Sequence, residues 1–143
     1  MKILLIDIVI PGPPVEKQRH RTSQGRTYSP QSAIEEEVKR RIKLQLDADF
    51  QISNKPLIVA IDAYFPRPKG HYGTGKNKGK LKTSAPVYHM QTPDHDNVLK
   101  FYLDAMNQIV YEDDHQVVAF DTCGKLWTQN EGQVRIRICE LSQ

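Results

Sequence analysis

Cysteine is scarce in this chain: only Cys123 and Cys139 occur, with no paired CxxC spacing. Two such thiols build neither a disulfide framework nor a zinc site, so both are read as core or strand residues. No long hydrophobic run is present either. The apolar stretch ILLIDIVI at residues 3–10 is interrupted by Asp7, carries no signal-peptide cleavage pattern and is too short to span a bilayer. The expectation is a strand in a cytoplasmic protein with no membrane partner. Internal repeats are missing as well.

What is present suits one compact α+β domain over residues 1–143, because a chain of that length at 38% hydrophobic supplies a real core. Residues 3–10 have the β-branched content of a strand, and PGPP at 11–14 ends it because proline cannot donate to a ladder. Ser29 and Pro30 read as the cap and first-turn proline of a helix whose apolar stripe is Ile34, Val38, Ile42 and Leu46. Its charges run from Glu35 and Glu36 to Lys39, Arg40 and Lys43, an order that suits the helix macrodipole and requires no site. LIVAIDAYF at 57–65 is a second strand, closed by Pro66 and Pro68. An apolar helix is expected over about residues 97–109, then strands at 117–123 and 134–141, with 125–132 as the hairpin connection between them. This order predicts a small mixed β-sheet with two helices packed on one face.

The net charge of +3 is distributed unevenly. KQRHRTSQGR at residues 17–26 has four cations and no acid, and RPKGHYGTGKNKGKLK at 67–82 has six cations and no acid. Such clusters are what phosphate neutralisation requires, although any lone charge run is more often a solvated loop. Residues 69–84 have almost nothing to bury, so a mobile basic loop is expected over about 67–92.

The acids gather elsewhere. Residues 92–117, TPDHDNVLKFYLDAMNQIVYEDDHQV, hold Asp94, Asp96, Asp104, Glu112, Asp113 and Asp114 against one lysine, Lys100. One aspartate before a helix is explained by N-capping. A second, two residues away, adds repulsion unless a cation lies between them. Lys100 is one turn on from Asp96, where an ordinary ion pair is the plainer reading and a shared ligand the alternative. If the later acids fold back toward the helix, a divalent metal relieves the repulsion, and oxygen-only donors suit Mg²⁺. His95 and His115 flank the same carboxylates and would suit Zn²⁺ or Mn²⁺ better, but alternation turns His95 away from Asp94 and Asp96, and a surface imidazole is the plainer reading. The candidate division of labour is that acids hold a metal and basic loops hold a polyanion.

PDHDN at residues 93–97, Lys100, LDA at 103–105 and EDDHQV at 112–117 together resemble the RusA family of Holliday junction resolvases. PVEKQRHR at 14–21 and RTYSP at 26–30 look like that family's basic loop, so the resemblance covers about residues 11–118. It implies a RusA-like fold and a Mg²⁺-dependent homodimeric endodeoxyribonuclease, with Mn²⁺ as a substitute, that nicks four-way DNA junctions in recombination and repair, often in a phage or prophage setting. Carried over by position, Asp94, Asp96 and Asp114 are the metal-binding aspartates and Lys100 the lysine needed for catalysis. Asp104 and Asp113 match common positions without an assigned role. His95 departs from a usually apolar position, and Gln108 stands where glycine is frequent.

The expected DNA-contacting residues are Lys17, Arg19, Arg21 and Arg26, followed by Lys76, Lys78, Lys80 and Lys82. The expected partner is branched DNA, with no small-molecule cofactor. The sparse aromatics show no stacking platform, which favours duplex arms over single strands. Two rival readings stay open: a nucleic-acid-binding module without catalysis, whose acids only cap a helix, and a metal-dependent nuclease for flaps, single strands or RNA.

Overall fold

A computed structural model describes residues 1–18, 21–23, 25–28 and 31–143. Along the chain run β1 (Lys2–Pro11), β2 (Arg21–Ser23), β3 (Arg26–Tyr28), α1 (Ser32–Leu44), β4 (Leu57–Pro66), α2 (His95–Ala105), β5 (Val117–Phe120), β6 (Lys125–Thr128) and β7 (Gln133–Leu141). β7 lies between β1 and β4 and is antiparallel to both. The far edge of β4 is shared by β5 at residues 57–59 and β6 at 63–66, both parallel to it. The result is a mixed sheet with two helices, the α+β architecture that the element order predicts.

Strand alternation decides which face is covered. Ile6, Ile8 and Ile10 of β1, Val134, Ile136 and Ile138 of β7, and Leu57, Val59, Ile61, Ala63 and Phe65 of β4 all turn inward. They share one buried cluster with Val38 and Ile42 of α1 and Val98, Phe101, Tyr102 and Ala105 of α2. The opposite face carries charge: Arg135 donates to Asp7 at 2.8 Å and Arg137 to Asp62 at 3.5 Å. A parallel β4–β5 pair requires a long crossover, and α2 is the helix of that crossover.

Several sequence expectations are corrected. Residues 125–132 are not a mere hairpin link, because the first four form β6, which pairs with β4. The alternation of Val134, Ile136 and Ile138 belongs to a strand central to the sheet, so β7 takes β1 and β4 as neighbours and leaves β5 on the far side of β4. In α1 only Val38 and Ile42 are fully buried; Ile34 is 47% exposed, and the helix ends before Leu46. Ser29 and Pro30, read as the start of α1, lie outside the described residues; Gln31 occupies the cap position, where its amide accepts from the Gln18 N–H at 2.9 Å and donates to the Glu16 carbonyl. α2 starts two residues earlier and ends four earlier than periodicity predicts. It stops because the chain turns at Gln108, whose φ of 65° is left-handed, and the turn is closed by Gln108 N–H to the Tyr111 carbonyl at 2.8 Å.

The basic segment after Pro14 is more than a loop. β2 and β3 form an antiparallel ribbon, Arg21 opposite Tyr28, turning through Gly25 at φ 76°. Residues 67–92 also hold local structure: two 3-10 turns, Gly73 N–H to the Lys80 carbonyl at 2.9 Å and Lys82 N–H to the His71 carbonyl at 2.9 Å. No helix among the described residues is long and apolar enough to cross a membrane.

The junction between the ends of β1 and β7 depends on Gly132. Its φ is +95°, and an added Cβ would meet the Tyr64 carbonyl oxygen at 2.8 Å and the Pro13 Cα at 3.1 Å. Gly132→Ala is expected to lower stability by about 1–3 kcal/mol in urea unfolding, with an unchanged m-value. Wild-type stability in that variant would show that the turn relaxes freely.

Candidate active site

α2 presents its polar stripe to solvent because its other face is consumed by the core. Asp96, Lys100 and Asp104 recur every four residues along that stripe. Asp94, Asp96 and Lys100 are exposed. Asp94 occupies the N-cap position, and its backbone carbonyl accepts from the Asn97 and Val98 N–H groups at 3.2 and 3.3 Å. Its carboxylate, however, makes no cap hydrogen bond. Capping therefore does not account for Asp94, and no ion pair within 4.0 Å joins Asp96 to Lys100 among the described residues. Both acids and the lysine remain available to something outside the chain.

His95 is turned the other way. Its Nε2 lies 3.0 Å from the Cys123 carbonyl, which can only accept, so Nε2 carries the proton. The ring thus fastens the start of α2 to the turn between β5 and β6. His115 is exposed and lies 3.6 Å from Asp113.

The later acids are positioned by a tight turn. Asp113 accepts from the His115 N–H at 2.9 Å while its own N–H donates to Gln116 Oε1 at 2.9 Å, a reciprocal capping box. The same Gln116 amide donates to the carbonyls of Ser53 and Lys55, each at 3.0 Å. Asp113 is thereby structural, its carboxyl held below the usual range chiefly by the His115 N–H. Asp114 is half-buried, and burial together with the Asp113 and Asp104 carboxylates pushes it above the usual range, with Asn107 opposing. Asn107 Oδ1 is itself buried without a partner.

Asp114 therefore sits with Asp104 at the C-terminal end of α2, whereas Asp94 and Asp96 are at its N-terminal end. Asp96 and Asp104 are eight residues apart, about 12 Å along the helix axis. Among the described residues, no three His, Cys, Asp or Glu side chains are grouped as a metal site. The donor chemistry fits a hard divalent cation: oxygen ligands unused by the fold at one end, and at the other crowded carboxylates that a cation would relieve. One chain presents them as two groups.

Lys17 is placed differently from the other basic candidates. Its ammonium lies 2.9 Å from Asp104 and 3.1 Å from Glu35, and its N–H donates to the Asn97 carbonyl at 2.9 Å. Two residues earlier, the Val15 N–H donates to the Tyr102 hydroxyl at 3.0 Å, a phenol whose burial pushes it up to about 12. The basic arm is thus clamped along α2 before the β2–β3 ribbon begins. Burial would lower the Lys17 pKa, but the bonds to Asp104 and Glu35 outweigh it and raise it. Arg19 lies outside the described residues, while Arg21 and Arg26 belong to β2 and β3. Lys76, Lys78, Lys80 and Lys82 are all exposed. The sequence reading missed the Lys17 clamp, because nothing local marks Glu35 or Asp104 as its partners.

The family model for endodeoxyribonuclease RusA matches residues 11–139. The chain belongs to that family. It is also 32% identical over 87 residues to YqaN of Bacillus subtilis (strain 168), described as an uncharacterized protein, a match covering 61% of this chain and 59% of that protein. The aligned region thus spans about three-fifths of that relative.

Lys17→Met is expected to cost about 1–3 kcal/mol by loss of two charge-assisted bonds, and Lys17→Arg to recover part of it. A raised folded pKa means this contribution is complete below the ordinary lysine range and fades as pH rises through the folded value. Urea unfolding at neutral pH and above pH ~11 checks both; equal stability of Lys17→Met and wild type at neutral pH would contradict the clamp.

Proposed function

We propose that the protein is an endodeoxyribonuclease that resolves four-way DNA junctions by paired nicks. The observation that carries this reading is the pair of unused carboxylates at the start of α2, with Lys100 one turn on, in a member of the RusA family. Asp94, Asp96 and Asp114 are proposed to hold Mg²⁺, with Mn²⁺ as a substitute. A divalent cation held there supplies Lewis acidity toward the scissile phosphate. Lys100 provides a fixed positive charge toward the same phosphate, on a helix whose orientation the core and His95 fix. Arg19, Arg21 and Arg26 of the N-terminal arm and Lys76, Lys78, Lys80 and Lys82 of the second basic loop are proposed to contact the DNA backbone. Lys17 is the exception, since two carboxylates already neutralise it.

The separation of Asp94 and Asp96 from Asp114 within one chain supports the homodimer reading. A two-fold axis matches the symmetry of a junction, and a second copy can complete a site that one chain leaves in two parts. Val118 and Phe120 of β5 are 63% and 52% exposed, close in sequence to Asp114, and offer apolar surface for such an association.

The test uses a labelled four-way junction, a flap and a linear duplex of matched sequence in Mg²⁺. Wild type is expected to nick the junction in symmetric pairs. Asp96→Asn and Lys100→Ala should each lower the rate at least about 100-fold while junction binding persists. Cleavage of the flap in preference to the junction would move the assignment to a flap nuclease, and binding without cleavage would leave a binding module.

A second measurement addresses the electrostatics and the assembly. Junction affinity should fall steeply with salt, and replacing Arg19 or Arg21 by Gln should reduce the slope by about one, whereas Lys17→Gln should leave it nearly unchanged. A flat salt response rejects the phosphate contacts. Light scattering at micromolar concentration is expected to give a dimer, and a monomer there would reject the shared site.

A further inference from the structure

Beyond β6 the sheet edge is covered by residues 87–91 of the basic loop, and His89 is the pin. It is 6% exposed, its ring 4.0 Å from Trp127 and 4.2 Å from Phe65. Its N–H donates to the Lys125 carbonyl at 3.0 Å, and the Trp127 N–H donates to the Val87 carbonyl at 3.0 Å. The Lys125 ammonium closes the end of the segment on the Gln91 carbonyl. With His89 held inward, strand alternation turns Tyr88 and Met90 outward. They are 65% and 89% exposed.

One exposed apolar residue is ordinary, but a large aromatic and a thioether on a backbone bonded in place are set in an unusual neighbourhood. From residue 67 to 93 there is no acid, while Arg67, Lys69, Lys76, Lys78, Lys80 and Lys82 supply cations. Met90 precedes Asp94 by four residues, at most about 14 Å of chain. Both are tied to the same short stretch, His89 through Lys125 and the start of α2 through His95 on Cys123. Exposed apolar side chains on a segment rich in cations match a ligand with flat apolar faces strung between phosphates, and that is the chemistry of a nucleic acid with accessible bases.

We propose that Tyr88 and Met90 form a base-contacting site that stacks on and parts the bases at the branch point of a DNA junction, while the loop's lysines hold the flanking phosphates. A branch point is where base stacking is already interrupted, so insertion costs least there, and the site thereby favours branched over linear DNA. This inference rests on the junction-resolvase reading and adds to it the residues that discriminate the substrate.

The experiment places 2-aminopurine at the branch point of a four-way junction and, separately, in the middle of an arm, and titrates the protein without divalent metal so that no cut intervenes. Wild type should raise fluorescence at the branch point but not in the arm. Tyr88→Ala and Met90→Ala should diminish that rise and weaken junction binding by about 5- to 30-fold, with linear-duplex binding nearly unchanged. Tyr88→Phe, which keeps the ring, should behave as wild type and guards against a folding artefact. If wild type binds and cleaves junctions but the branch-point signal is silent, or if both alanine variants match wild type, the base-contacting site is wrong and the resolvase reading stands. If wild type shows no preference for the junction over the duplex, both fall together.

Discussion

Burial of one face of α2 is the constraint on which the rest of the molecule depends. Val98, Phe101, Tyr102 and Ala105 close over the inward residues of β4 and β7, and a helix with that much apolar surface has only one orientation that removes it from water. Its polar stripe is thereby forced outward, carrying Asp96, Lys100 and Asp104 with it. Because α2 is also the crossover from β4 to the parallel β5, its two ends are fixed relative to the sheet edge. His95 secures the first end on Cys123, and the turn through Gln108 and Tyr111 secures the second.

Charge is divided according to that frame. Acids are displayed at both ends of one helix, and cations occupy two other segments of the chain. The N-terminal arm is fastened by Lys17 between Glu35 and Asp104, so a cation of a basic segment is spent on holding the segment in place. The second basic segment is fastened by a ring stack instead, His71, Trp127, His89 and Phe65 in succession. In both cases the anchoring groups lie at the base of the segment, and in the second segment Lys76, Lys78, Lys80 and Lys82 remain exposed. Anchoring of this kind limits the conformational entropy lost when a ligand is bound.

Membership of the RusA family and the geometry of α2 support each other without being the same observation. The family match concerns residue pattern. The geometry adds that Asp94 is not spent on capping, that Asp113 is, and that Asp114 stands in a crowded acidic group at the far end of the helix. Within one chain the acids at the two ends of α2 stand about two helical turns apart.

The strands β1, β4 and β7, the presence of both helices and the cluster of acids were legible in the sequence, because alternation, apolar periodicity and proline punctuation are local signals. So was the contrast between Asp94 or Asp96 and an ordinary cap, since one acid suffices for capping. What local signals could not determine was which partners meet across the chain. β6 was hidden because its pairing is with β4, some sixty residues away. Lys17 read as a phosphate contact because Glu35 and Asp104 become its neighbours only when α1 and α2 pack. Tyr88 and Met90 were passed over because their exposure depends on His89 being drawn into a stack with Trp127 and Phe65. The residue types and their spacing thus set the chemistry available to this chain, and tertiary packing decided which groups it consumes internally and which it leaves free to act on a ligand, because burial and pairing depend on neighbours in space rather than in sequence.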